Sequence, residues 1–138
     1  MEQSDEALER AAKALSRRDH SVASLKAKLE RAGVPDADAA EAIDSLERAG
    51  YLDDERFARD RAVHLAAKGY GDEWIRGDLE TQGVVPDGAI AALDPESARA
   101  KREAARLGGG VKALRALARK GFSEDSLEPL LHSTTGEE

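Results

Sequence analysis

The stretch Leu25-Lys26-Ala27-Lys28-Leu29-Glu30-Arg31-Ala32-Gly33-Val34 sets the pattern of the whole chain. Two leucines stand four residues apart, a glycine follows four residues later, and an apolar residue comes next. The same arrangement recurs over Ile75–Val84 and Ala113–Phe122. An apolar spacing of four residues marks one face of an amphipathic helix, and glycine in the left-handed conformation ends a helix. The chain therefore repeats one helix-and-stop unit three times.

A longer amphipathic helix is predicted in front of each copy, over 5–17, 54–68 and 95–107, and a shorter one behind it. The composition agrees, because Ala, Leu, Glu, Arg and Lys favour helices and aromatic residues make up only 4% of the chain. We predict an all-α fold of three tandem three-helix repeats that stack into an elongated, curved body. The repeats are expected at 1–52, 53–94 and 95–132, and the polar segment 133–138 is predicted to be a disordered tail.

Composition also limits where the protein works. The N-terminus, Met1–Glu6, lacks the basic and apolar regions of a signal peptide. No apolar run approaches the roughly 20 residues that a membrane helix needs. The 138 residues include no cysteine, so neither a disulfide nor a thiolate metal site is available. We expect a cytoplasmic protein that makes no membrane contact.

Positive charge is concentrated near one end of the chain. Residues 95–122 carry a net charge of +6, against −8 for 1–94 and −5 for 123–138. Two stripes with the spacing i, i+3, i+7 lie opposite the apolar residues of their helices. They consist of Arg99, Arg102 and Arg106 on one helix and Lys112, Arg115 and Arg119 on the next, with Lys120 beside them. We expect both stripes to face solvent, nearly without acidic partners, and to bind phosphate or an acidic protein surface. A plain solvated face is the alternative, but such faces interleave both signs.

The stretch Gly50–Ala58 is the most distinctive local motif. Gly50 ends a helix, Tyr51 and Leu52 are expected to pack over the turn, and Asp53 caps the next helix. The predicted structural residues of this motif are Gly50, Tyr51, Leu52, Asp53, Asp54, Phe57 and Ala58. A Mg²⁺ or Ca²⁺ site is the alternative. It is disfavoured because no further acidic ligand stands at loop spacing and the carboxylates occupy positions where caps are expected.

Three further features have a structural and a functional interpretation. Arg17 and Arg18 end the first helix, where the helix dipole favours cations, but they could also contact a carboxylate or a phosphate. Ser21 is the predicted N-cap of the second helix, and Ser24, in place of Glu three residues later, predicts an incomplete capping box. Trp74 could stack on a base, although a lone aromatic residue more often packs, here at a repeat junction.

Signs of catalysis are missing from the sequence. His20, His64 and His132 are scattered, without cysteine or regularly spaced acidic partners, so they do not match a zinc site. No serine stands in a recognisable nucleophile motif, and no glycine-rich loop follows a strand. We therefore predict a binding protein rather than an enzyme, with no catalytic residue, metal, cofactor or small-molecule substrate.

Four blocks, taken in order, resemble the RecX family of recombination regulators: Arg17–Leu29, Gly50–Ala58, Gly69–Gly83 and Arg119–Ser123. The resemblance extends from about Ala7 to Leu131. It implies three tandem three-helix repeats, in agreement with the periodicity. Ser24 departs from the acidic residue common in the family, and the Ala-rich third repeat with Gly108–Gly110 is less typical of it.

The resemblance implies a function that composition does not reveal. Proteins similar to this one bind RecA, lodge in the groove of the RecA–single-stranded DNA filament and block its growth. ATP hydrolysis, strand exchange and SOS coprotease activity then fall. The implied partners are RecA and this filament, with weak direct DNA contact and a monomeric regulator. The acidic first and second repeats would face the recombinase, and the basic third repeat, hinged at Gly108–Gly110, would approach phosphate or an acidic RecA surface.

Two other functions remain open on the sequence. The basic block would also suit a free-standing nucleic-acid-binding protein. The helical repeats would suit an adaptor for a partner other than RecA.

Overall fold

The computed structural model describes residues 2–136, and within them the side chains of 5–131. In this range the chain forms nine α-helices and no strand. They are α1 (Glu2–Arg17), α2 (Val22–Arg31), α3 (Asp36–Arg48), α4 (Asp54–Ala67), α5 (Asp72–Thr81), α6 (Asp87–Ala91), α7 (Glu96–Arg106), α8 (Gly110–Arg119) and α9 (Glu124–Gly136). The predicted all-α class is confirmed, and the nine helices fall into three consecutive sets of three. Each described helix is too short or too polar to span a membrane.

The repeated glycines end helices as their spacing predicts. Gly33 and Gly121 have φ angles of +82° and +92°, in the left-handed region that residues with a Cβ rarely adopt. After each glycine the next amide donates to the carbonyl oxygen five residues back, from Val34 to Leu29 at 3.0 Å and from Phe122 to Leu117 at 3.1 Å. This bond satisfies a carbonyl that the helix end would otherwise leave open.

Spatial contacts divide the chain into two compact units, 1–58 with 82–84, and 59–81 with 85–138. The first unit holds α1, α2 and α3, and α1 packs mainly on α3. Alanines on α1 form its buried face, so the helices that pack on it can approach closely. The core of this unit consists of Ala7, Ala11, Ala14, Leu25, Leu29, Ala39, Ala42, Ile43, Leu46 and Leu52.

The second unit contains most of α4 and all of α5 to α9. One of its apolar clusters lies between α7, α8 and α9, which all contact one another. The cluster consists of Ala100, Ala104, Leu114, Leu117 and Phe122, with Leu127 and Leu130 packed against it. The division into two units runs through α4, and the repeat boundaries at 52/53 and 94/95 stay a prediction.

The predicted disordered tail needs a correction. Helix α9 continues to Gly136, so 133–136 are helical, and 137–138 lie outside the described residues. Once a helix is nucleated, each further residue adds a hydrogen bond at little cost, and polar residues can extend it.

Candidate binding surface

The basic stripe on α8 faces solvent. Lys112, Arg115 and Arg119 are exposed, whereas Leu114 and Leu117, on the opposite side of the helix, are buried. None of the three cations forms an ion pair with a side chain that the structure describes. The first turn of α8 contains no acidic residue. The solvent-facing position is confirmed, and binding of a partner by this stripe stays a prediction.

Arg99 does not belong to a solvent-facing stripe, contrary to the prediction. Its exposure is only 7%. Its guanidinium forms an ion pair with Asp72 and donates to the carbonyl oxygens of Asp94 at 3.0 Å and Tyr70 at 3.2 Å. It also lies over the ring of Phe122, 5.9 Å from the centroid. A buried cation requires partners of this kind, so Arg99 is a structural residue of the second unit.

Carboxylates next to Arg99 complete a polar network. Glu96 accepts hydrogen bonds from the amide of Asp72 at 2.7 Å and from the hydroxyls of Ser123 and Ser126, both at 2.7 Å. Burial acts to raise the pKa of Glu96, but these hydrogen bonds outweigh it and hold the pKa below its usual value. Burial raises the pKa of Asp72, and Arg99 acts against that rise. The network joins the starts of α5, α7 and α9.

Arg102 and Arg106 are exposed as predicted, but the expected lack of acidic partners is wrong. Arg102 pairs with Asp94 at 3.0 Å. Arg106 pairs with Glu103 one turn earlier on α7, and this hydrogen bond lowers the pKa of Glu103. Asp94 lies before the helix and Glu103 within it, so a count of charges over the block did not show that these two acids meet the two arginines.

Lys120 serves the packing of the second unit. Its Nζ donates to the carbonyl oxygen of Lys68 at 2.9 Å and lies 4.9 Å from the centroid of the Tyr70 ring. Its own carbonyl oxygen accepts from the amide of Gly71 at 2.8 Å. The residue that follows α8 is thus tied to the turn between α4 and α5.

The Gly50–Ala58 motif has mainly structural contacts. Asp53 accepts from the amide of Arg56 at 3.1 Å, which confirms its capping role. Asp54 accepts from the amide of Val22 at 2.8 Å and so caps α2 from a distant part of the sequence. Leu52, Phe57 and Ala58 are buried, and Gly50, with φ +83°, ends α3. The prediction that Tyr51 packs over the turn is wrong. Tyr51 is 69% exposed, because the turn directs Leu52 rather than Tyr51 into the core.

At the junction of α1 and α2, Arg17 and Arg18 are exposed. The capping box of α2 is complete, contrary to the prediction. The side chain of Ser21 accepts from the amide of Ser24, and the side chain of Ser24 accepts from the amide of Ser21, both at 3.0 Å. A serine hydroxyl is short, but it accepts this bond as a glutamate would.

Two features of the site region were missed by the sequence reasoning. Tyr70 and Trp74 stack with ring centroids 4.6 Å apart and planes 9° apart, which their i, i+4 spacing could have suggested. His20 is buried, with Nδ1 3.0 Å from the Ser24 hydroxyl and Nε2 without a partner. Among the described residues, no group of three His, Cys, Asp or Glu side chains is placed to hold a metal ion.

Comparison with known proteins relates this arrangement to a family. The family model described as "RecX, first three-helix domain" matches residues 7–46, which span nearly all of α1 to α3. The regulatory protein RecX of Stenotrophomonas maltophilia strain R551-3 is 35% identical, over 87% of this chain and 82% of that protein. The chain belongs to the RecX family. The regulatory protein RecX of Xanthomonas axonopodis pv. citri strain 306 is also 35% identical, over the same shares of both chains.

Solved structures agree on the fold. The crystal structure of RecX from Lactobacillus salivarius matches with a TM-score of 0.81 over 96% of each chain, at 17% identity. A second crystal structure, of a regulatory protein RecX, matches with a TM-score of 0.79 over 93% of this chain and 72% of that one, at 21% identity. The predicted family is therefore confirmed, and a regulatory role follows from membership of the RecX family.

Proposed function

We propose that this RecX-family protein binds RecA and the RecA–single-stranded DNA filament and restrains filament growth. ATP hydrolysis, strand exchange and SOS coprotease activity then fall, and the regulator acts by occupying a surface rather than by catalysing a reaction. It does so as a cytoplasmic monomer. The family resemblance of the sequence motifs supplies the partner, and the charge of the described surface supports the mode of contact.

The stripe of Lys112, Arg115 and Arg119 is the observation that carries the mode of contact. A salt-bridged arginine must give up its partner before it binds another anion, whereas these three cations have no described ion pair to break. Over seven residues a helix rises about 10 Å, so the stripe can meet several anionic groups of a filament at once. Such contacts weaken with salt, because bound counterions are released.

The direct test is DNA-dependent ATP hydrolysis by the cognate RecA, with and without substoichiometric amounts of this protein. The rate is expected to fall at ratios well below one regulator per RecA protomer, because one bound molecule blocks further growth of a filament. Unchanged hydrolysis, with binding to RecA filaments also absent, contradicts the proposal.

Matched charge variants test the mode of contact. Replacement of Lys112, Arg115 and Arg119 by Gln should weaken inhibition and reduce its salt dependence. Replacement of Arg102 and Arg106 by Gln is the control, since both are exposed on the neighbouring helix but already paired. Equal inhibition by the α8 variant and the wild type would exclude the stripe as a contact and leave the RecA proposal itself standing.

The same stripe favours a second candidate function, direct binding of nucleic acid. Tight binding to bare single-stranded DNA at physiological salt, without any effect on RecA, would support that function instead.

A further inference from the structure

The outer face of α5 carries a groove that no residue of the basic stripes lines. It is a shallow, open groove of about 450 Å³, lined by Glu73, Trp74, Gly77, Asp78 and Thr81. These residues are neighbours on one face of a helix, since their spacing follows the 3.6-residue turn. We propose that this groove receives an arginine side chain of a partner protein. The inference goes beyond the proposed function, because it rests on the surface around α5 and not on the identity of RecA.

An aromatic wall forms one side of the groove. Trp74 is 47% exposed although one face of its ring is covered by the stacked Tyr70. The stack with Tyr70 thus leaves nearly half of Trp74 accessible, and Trp74 lines the groove. Exposed tryptophans are enriched among residues that dominate binding energy, and the indole ring attracts a cation placed over it.

The charge around the groove selects the class of partner. Glu73 is exposed and has no ion pair with a described side chain. Both carboxylate oxygens of Asp78 accept from Arg61, so Asp78 contributes negative charge to the groove rather than an open acceptor. Both nearby arginines are engaged, Arg61 by Asp78 and Arg76 by Asp87 at 2.6 Å. The groove lining contains two carboxylates and no basic side chain, so it repels phosphate, which disfavours a nucleotide base stacked on Trp74.

Gly77 makes room for a planar group. A Cβ added at this position would meet no atom within 4 Å, so the helix surface beside the indole is open. The planar guanidinium of arginine can stack on the indole and donate to the exposed Glu73 carboxylate. Lysine, a compact ammonium, lacks the stacking and the fork of donors. The geometry thus favours arginine over lysine.

Trp74 is the chain's single tryptophan, so intrinsic fluorescence reports on this groove. The probe is the peptide acetyl-Gly-Ser-Arg-Ser-Gly-amide, titrated into the intact protein at constant ionic strength. The matched control peptide carries citrulline, the uncharged isostere, in place of arginine. We expect a saturable change in fluorescence with the arginine peptide and a much weaker one with citrulline. Equal responses to the two peptides would overturn the proposal.

Two variants locate the binding. Glu73→Gln should weaken binding of the arginine peptide by about two- to fivefold, as expected for the loss of one exposed ion pair. Gly77→Leu fills the open space beside the indole and should remove the saturable change in fluorescence. Gly88→Leu is its control, because Gly88 on α6 also has open space around it and lies outside the groove. Unchanged binding by both Glu73→Gln and Gly77→Leu contradicts the inference, as does a saturable response to oligothymidylate in place of the peptide. The titration contains no RecA, so its failure and a failure of RecA inhibition are separate results.

Discussion

Arg99→Ala should destabilise the protein far more than Arg102→Ala, although both arginines belong to the same stripe in the sequence. Arg99 is buried, and its removal deprives two carbonyl oxygens and the carboxylate of Asp72 of their donor. Arg102 forms an exposed pair with Asp94 that solvent can replace.

The magnitude follows from the contacts. Breaking a buried ion pair by removing one partner costs about 3–5 kcal/mol. Asp72 is about one-third exposed (34%), so water can solvate its carboxylate once Arg99 is removed. We therefore expect Arg99→Ala to lower the free energy of unfolding by about 3 kcal/mol, the lower end of that range. For a chain of this size that corresponds to a decrease in Tm of about 10 °C. The exposed pair of Arg102 is worth at most about 1 kcal/mol, or a few degrees.

Urea and thermal unfolding, followed by the fluorescence of Trp74 in the second unit, measure both variants. Asp72→Asn closes a double-mutant cycle. The stability lost in Asp72→Asn and in Arg99→Ala should be less than additive in the double variant, because the two side chains interact directly. The pKa of Asp72, already raised by burial, should rise further without Arg99. Equal losses for Arg99→Ala and Arg102→Ala would refute the assignment of Arg99 to the folded core.

Three further changes follow from single contacts. Gly71→Ala should lower the free energy of unfolding by about 3 kcal/mol, because its Cβ would overlap the amide nitrogen of Phe122, and thermal unfolding measures this loss. Ser21→Ala should cost about 2 kcal/mol in urea unfolding, since it removes both the cap of α2 and a 2.6 Å hydrogen bond to the carbonyl oxygen of Gln82. Burial, helped by nearby cations, lowers the pKa of His20 below 6.5, so the unfolded chain binds more protons near that pH. Stability should therefore fall as the pH decreases through 6.5, and His20→Gln should remove this part of the dependence.

The helices could be predicted from the sequence because their signals are local. The apolar spacing of Leu25 and Leu29 and the stop at Gly33 depend on residues within one or two turns, and α2 begins directly after Ser21 as expected. The left-handed glycines confirm the same reasoning at the helix ends. Periodicity and glycine therefore accounted for the element order.

The fate of individual polar side chains could not be predicted in the same way. Arg99 is buried because Tyr70 and Asp72, 29 and 27 residues away, supply its partners. Asp54 caps α2 across 32 residues of sequence. Helical spacing tells which side of a helix a residue occupies, but not which groups from other helices meet it there.

The division of the basic block into buried, paired and free cations sets the salt dependence of binding. Read from the sequence, both stripes offer six cations, and each phosphate contact to single-stranded DNA contributes about −0.7 to the slope of log K against log salt. Six contacts would give a slope of about −4. Because Arg99 is buried and Arg102 and Arg106 are already paired, we expect only Lys112, Arg115 and Arg119 to release counterions, with a slope near −2. Filament binding measured over a range of salt distinguishes the two values. A slope near −4 that returns to about −2 when Arg102 and Arg106 are replaced by Gln would mean that these arginines leave Asp94 and Glu103 for the partner.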